Sequence, residues 1–215
     1  SYLIRNMSVL VYTESWNGVF RRSTFEALSY AIETAKFIGK EVIAISLDEI
    51  NEDELKKLGN YGAKKVFTCP NIRKGDSQAV VDVFEELVKD ADLFVFSNTY
   101  CAKMITARLS IRLKAGLISN VITLTNNRNP ITVQRKTFSS KAIQIVQVTT
   151  EKAILAIVPN SYKLIEKKET ISIECLDIKK KGAITIEQQE TASGKVSLSE
   201  AEIIVSGGRG LKGPE

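Results

Sequence analysis

The sequence predicts an α/β protein with a doubly wound, mostly parallel sheet extended by antiparallel strands. Three observations predict it. Short apolar runs alternate with amphipathic stretches of helical period through the first half of the chain, which is the pattern of consecutive βαβ units. Several runs are continuously apolar rather than alternating, as strands buried on both faces require. Past residue 125 the helical period gives way to short segments rich in β-branched residues, which read as antiparallel strands.

Element by element, Val9-Leu-Val-Tyr12 is the first strand. Ser23-Thr-Phe-Glu26 has the form of a capping box, and Phe25, Leu28, Ile32, Ala35 and Ile38 recur at helical spacing until Gly39, a helix-stop residue. Val42 to Leu47 is the second strand, Glu52 to Leu58 a short helix, and Lys65 to Thr68 the third strand. Gly75 to Lys89 is a helix with Val80, Val83, Phe84, Leu87 and Val88 on one stripe. Leu93 to Phe96 is the fourth strand, residues 101–114 a helix, and Leu117 to Leu124 holds the fifth strand. Ile131 to Gln134, Ala142 to Val148 and Ala153 to Val158 are expected to extend the sheet as antiparallel strands. The last two are separated by the hairpin-length gap Thr149 to Lys152. Ile171 to Leu176 and Ala183 to Ile186 are further strands around a lysine-rich turn. Thr191 to Leu198 reads as a polar linker, and a second apolar run, Ile203-Ile-Val205, leads into a glycine turn. A domain boundary is expected near residue 197, dividing the chain into 1–197 and 198–215.

The composition, 44% apolar and 26% charged over 215 residues, is that of an ordinary globular domain. No run approaches the ~18 apolar residues of a membrane span, and residues 1–7 do not form the apolar core of a signal peptide. Met7 is a candidate start. The expected compartment is the cytoplasm, or the mitochondrial matrix in a eukaryote. The chain has no histidine, which removes Ser-His-Asp and Cys-His nucleophile activation and most transition-metal sites. Cys69, Cys101 and Cys175 are odd in number and widely spaced, so neither a zinc site nor a redox pair is expected. Residues 93–150 carry 8 basic side chains and no acidic one: Lys103, Arg108, Arg112, Lys114, Arg128, Arg135, Lys136 and Lys141. They form either a positive face for phosphate or an acidic partner, or a scattered solvated surface. Few aromatics interleave with them and no nucleic-acid signature accompanies them, so nucleic acid is not expected as a partner.

Two segments are candidates for ligand chemistry. The turn after the first strand, Thr13 to Phe20, has one glycine and lacks the dinucleotide fingerprint. The turn after the fourth strand, Ser97-Asn-Thr-Tyr-Cys101, lies at the carboxyl edge where such folds bind ligands. Its side chains either hold a nucleotide or cap the next helix. The second segment is Ser206-Gly-Gly-Arg-Gly210. Three glycines after an apolar run make a turn open to close approach by a ligand, with Arg209 as its one charged group. Cofactor contact and a plain interdomain turn are both open readings of these residues.

Ser206-Gly-Gly-Arg-Gly-Leu-Lys212, preceded by Glu200-Ala-Glu202, resembles the start of the flavin-binding domain of electron transfer flavoprotein alpha subunits. Ser23 to Leu28, Leu58 with Tyr61 to Val66, Ser97-Asn-Thr99, Ala107-Arg108, Arg112-Leu113 and Ala115-Gly-Leu117 are similar to the family's N-terminal domain in order and spacing. The resemblance implies a nucleotide-hydrolase-like, Rossmann-like domain, followed from 198 by the beginning of an FAD-binding domain. It implies pairing with a beta subunit, with electrons accepted from flavoprotein dehydrogenases and passed to an acceptor oxidoreductase. It implies an electron carrier rather than an enzyme, with no direct membrane insertion. Arg209 is the residue it places against the flavin, with Gly207, Gly208 and Gly210 shaping the turn. Residues 1–215 alone are not expected to retain FAD. Three departures from the family pattern fall at interdomain and interface positions. They are Ala102-Lys103-Met104 in place of Gly-Arg-Asp, Arg135 to Ala142 in place of Arg-Pro-x-Tyr-Gly-Gly-Asn-Ala, and Ala156-Ile-Val158-Pro159, which lacks the family's arginine. The alternative function is a freestanding nucleotide-binding or nucleotide-hydrolysing protein that uses the Ser97–Cys101 turn and the basic block.

Overall fold

The computed structural model describes residues 8–87 and 91–179, together with 182, 184–185, 187–188, 198, 201, 203–208, 210 and 213. The expected boundary near 197 lies outside them. So does part of the expected strand Ala183–Ile186, of which Ile184 and Thr185 are described and are exposed, outside any strand.

The elements follow the expected alternation. Strand β1 (Ser8–Tyr12) leads through a two-residue hairpin, β2 (Ser15–Trp16) and β3 (Val19–Phe20), into helix α1 (Arg22–Ile38). Then come β4 (Val42–Leu47), α2 (Glu52–Lys56) with a 3₁₀ turn (Lys57–Asn60), β5 (Lys65–Cys69), α3 (Ser77–Leu87), β6 (Ala91–Ser97), α4 (Tyr100–Leu113) and β7 (Gly116–Val121). Four further strands follow among the described residues: β8 (Thr132–Thr137), β9 (Ala142–Gln147), β10 (Ala153–Ile157) and β11 (Ser172–Cys175). The described strands form one nine-stranded sheet in the order β11-β5-β4-β1-β6-β10-β7-β8-β9, beside the small β2–β3 pair.

Period-two alternation in the central strands feeds two cores. Val9 and Val11 point to the face covered by α1, with Ala27, Leu28 and Ala31. Leu10 and Tyr12 point to the face covered by α3 and α4, with Val80, Phe84 and Ile105. Both faces of the central strands β1, β6 and β10 are therefore dry, which is why these strands read as apolar runs. Helix α1 ends where the sequence says it must, with Gly39 at φ 76° donating its N–H back to the Ala35 carbonyl.

Two local expectations are corrected. Ser23 is not the cap of α1. The residue before the helix is Arg21, which makes no side-chain cap bond. Thr24 Oγ1 instead donates to the Glu14 carbonyl, and the buried Glu26 carboxylate accepts the Asn160 N–H at 2.7 Å and Arg22 Nε at 3.0 Å. The apparent capping glutamate thus anchors the segment that crosses α1 on its way to the β11 edge. The second correction is β10. It is not an antiparallel extension. It lies parallel between β6 and β7, with Ala153 opposite Leu93 on one side and Gly116 on the other. All five of its residues are buried, and the run Ala-Ile-Leu-Ala-Ile suits only a strand covered on both faces. The hairpin of this region is β8–β9, in which Thr132 faces Gln147 and Thr137 faces Ala142.

Candidate functional site

In an open parallel sheet, ligands bind outside the carboxyl ends of the strands where the winding direction reverses. Here that place lies between β1 and β6, since β1 connects outward to β4 while β6 begins the other half. Four turns converge on it. The turn after β1 supplies Glu14 and Trp16, the one after β4 supplies Asp48, the one after β5 supplies Lys74, and the one after β6 supplies Thr99 and Cys101.

Many of these groups bond to one another, while Glu14 Oε1, Ser97 Oγ and Asn98 Oδ1 are buried with no hydrogen-bond partner among the described residues. The side chains of Glu14 and Lys74 are only 3% and 9% exposed, and Lys74 Nζ lies 4.0 Å from Glu14 Oε1. Lys74 Nζ also donates to the Ser15 carbonyl and lies 4.0 Å from the centre of the Trp16 ring, over which the Arg21 guanidinium is placed at 4.1 Å. Both cations gain from the electron-rich ring face. The Lys74 N–H donates to Asp48 Oδ1 at 3.2 Å. Thr99 Oγ1 donates to Glu14 Oε2 and accepts from the Ala102 N–H at 3.1 Å, which caps α4. Of the two readings of the Ser97–Cys101 turn, the helix cap is the one observed. Asn98 Nδ2 donates to Asn120 Oδ1 at 2.6 Å.

Burial raises the pKa of Glu14, partly offset by the Thr99 hydroxyl, Lys74 and the Cys101 thiol. Cys101 is pushed up by burial and then by the charge of Glu14. Both effects favour the thiol over the thiolate. Asp48 is raised by burial against Lys74. The arrangement is a buried polar plug. Three of the cavities among the described residues, of about 410, 550 and 340 Å³, are lined by residues elsewhere in the molecule. Sequence reasoning missed the plug. The available signals were a carboxylate two residues past a wholly apolar strand and the isolated Trp16. The partners Glu14 and Lys74 lie 60 positions apart, however, and only the fold joins them.

The glycine turn stands apart. Gly207, Gly208 and Gly210 are exposed, and a Cβ built on Gly208 or Gly210 would meet no atom within 4 Å. Ile203, Ile204 and Val205 before them are 84%, 56% and 94% exposed and lie outside any strand. Arg209 lies outside the described residues. The turn is bare enough to admit a ligand but nothing described walls one in, so these residues alone do not build an FAD site. The basic residues of 93–150 do not converge either. Arg112 is held by Glu85 Oε2 at 2.5 Å and Asp82 Oδ1 at 3.1 Å, Arg128 lies 5.6 Å from the centre of the Phe37 ring, and Arg135 donates to Ser119 Oγ at 3.2 Å. Among the described residues no cluster could hold a metal ion, no helix is long and apolar enough to cross a membrane, and the three cysteines are free.

Fold and plug together define a doubly wound α/β domain whose usual ligand crevice is lined by a buried polar cluster of its own side chains. The electron transfer flavoprotein domain matches residues 9–192, and the chain belongs to that family. It is 34% identical over 218 residues to the electron transfer flavoprotein subunit alpha of Bacillus subtilis, an alignment that covers 96% of this chain and 66% of the relative. The corresponding subunit from Syntrophomonas wolfei is 27% identical, over 95% of this chain and 66% of its own length. The LctC subunit of an Acetobacterium woodii lactate dehydrogenase (NAD(+),ferredoxin) is 28% identical, over 95% of this chain and 51% of its own. The chain thus spans just under two thirds of the length of the first two relatives.

Proposed function

We propose that this chain is the platform region of an electron transfer flavoprotein alpha subunit. In this reading residues 1–197 form the partner-binding domain and 198–215 begin the FAD-binding domain. The whole protein pairs with a beta subunit, accepts electrons from flavoprotein dehydrogenases and delivers them to an acceptor oxidoreductase. It is a carrier component with no substrate chemistry of its own. Arg209, Gly207, Gly208 and Gly210 supply one edge of a flavin site whose other walls come from elsewhere in the whole protein. Free thiols fit a reducing compartment, the cytoplasm or the mitochondrial matrix of a eukaryote.

The observation that carries the reading is the plug of Glu14, Lys74 and Trp16 in a domain that matches the family across residues 9–192. A freestanding nucleotide-binding protein needs that crevice open, and its candidate grip, Thr99, is occupied by Glu14 and the α4 amide. The alternative is therefore not favoured. Co-expression with the beta subunit of the same organism tests the reading. A one-to-one complex is expected. The 215-residue chain alone should be colourless, while protein that also carries the remainder of the relatives' length should hold flavin stoichiometrically with its beta subunit. Stoichiometric flavin absorbance on the chain alone, or no complex, would contradict it.

A further inference from the structure

The β8–β9 hairpin closes one side of the sheet, and no strand lies beyond β9 among the described residues. The Ile122 N–H donates to the Gln134 carbonyl, and the Gln134 N–H donates to Thr123 Oγ1. The main-chain groups of Gln134 therefore face β7, and those of Val133, Arg135 and Thr137 face β9. By the register Val133–Val146, Arg135–Gln144 and Thr137–Ala142, residues 142, 144 and 146 spend their N–H and C=O groups on β8. The Val148 N–H bond to the Ile131 carbonyl continues the same parity. Ile143, Ile145 and Gln147 thus direct their main-chain donors and acceptors outward, away from the sheet.

The side chains on this edge do nothing to discourage pairing. Ile143 and Ile145 are 63% and 69% exposed, and Ala142 to Thr150 contains no charge, proline or glycine. Natural edges are normally blunted by a charge, a proline or a bulge, because an uncharged β-branched edge recruits other strands. The opposite edge follows that rule: β11 carries Glu174, paired with Lys65 at 3.3 Å.

We propose that the outer edge of β9 docks an extended strand of the second subunit by main-chain pairing, with Ile143 and Ile145 packing on its side chains. This rests on the heterodimer reading above. Charge selects the occupant. The hairpin exposes Lys136 and Lys141, and no acidic residue occurs from 93 to 150. A second copy paired about Gln144 would match Ile143 with Ile145 but would add two more exposed lysines and no carboxylate. A partner strand flanked by Asp or Glu is complementary, and it is the better fit to this edge.

The test uses the chain with its beta subunit. Ile145→Pro removes an outward N–H that β8 does not use, and Ile143→Lys places a charge on the same edge. Each should weaken subunit association about tenfold or more while circular dichroism and the melting temperature of the free chain stay close to wild type. Hydrogen exchange on the wild-type complex, which needs no variant, should show the amides of Ile143, Ile145 and Gln147 slowed on assembly. If wild-type chain binds the subunit but those amides stay unprotected and both variants bind normally, the edge assignment is overturned while the heterodimer stands. Failure of wild-type chain to bind the subunit sinks the heterodimer reading itself, and this one with it. A homodimer paired through β9 that the subunit does not displace overturns the choice of partner.

Discussion

The crevice between β1 and β6 and the outer edge of β9 are opposites. The first is polar and buried. Glu14, Lys74 and Thr99 are buried or half-buried and bonded to one another where a fold of this class ordinarily admits a ligand. The second is apolar and open, with Ile143 and Ile145 exposed on a strand that has nothing beyond it among the described residues. A protein that worked alone on a small ligand would be expected to show the reverse, an open crevice and a guarded edge. The difference supports the proposal that this domain acts through its outside, in what it presents and pairs with.

Four substitutions sharpen or break that contrast. The largest effect is expected from Lys74→Met. It leaves the Glu14 carboxylate buried without its cation, which costs about 3 kcal/mol, read as a shift in the urea midpoint at neutral pH. The loss should shrink in acid, where Glu14 is protonated. A neutral outcome would mean that the plug is not a coupled unit.

Glu14→Gln tests the same plug through pH. Burial raises the folded-state pKa of Glu14 above its unfolded value. Its contribution to stability is therefore complete below the ordinary carboxylate range and is lost as pH rises through the raised folded value. The glutamine variant should lose less stability than wild type over that interval. Some slope should remain, because Glu26 and Asp48 are raised with the same sign. Identical pH profiles for the two proteins would show that Glu14 titrates normally.

The smallest effect is expected at the edge. Ile143→Thr and Ile145→Thr should each change the stability of the free chain by no more than about 0.5 kcal/mol, since both side chains are exposed. A larger loss would mean that the edge is already covered within the chain.

Much of this architecture was legible in the residues. Val42 to Leu47 and Lys65 to Thr68 were legible as short, mostly apolar β-branched runs between helical segments, and Gly39, left-handed in the structure, marked the end of α1. Ala153 to Ile157 carried the same signal. It was misplaced because the hairpin-length gap before it suggested antiparallel pairing, whereas the chain crosses from the β9 edge into the centre of the sheet. Local spacing is blind to that kind of long-range insertion. The capping-box misreading at Ser23 and Glu26 has the same origin, because the partner of Glu26 is 134 residues away. The plug was illegible for that reason too. Arg209, the residue singled out by resemblance, lies outside the described residues, and its role as a flavin contact stands as a proposal.

Trp16 gives the most direct test of the central claim. It is the only tryptophan, and Lys74 and Arg21 lie over its ring at the mouth of the crevice. Its fluorescence should therefore report anything that enters there. Titration of the chain with AMP and with ATP should leave that fluorescence unchanged up to millimolar concentration. A saturable change at submillimolar nucleotide would show that the crevice opens to a ligand, and would contradict the reading of this domain as a platform.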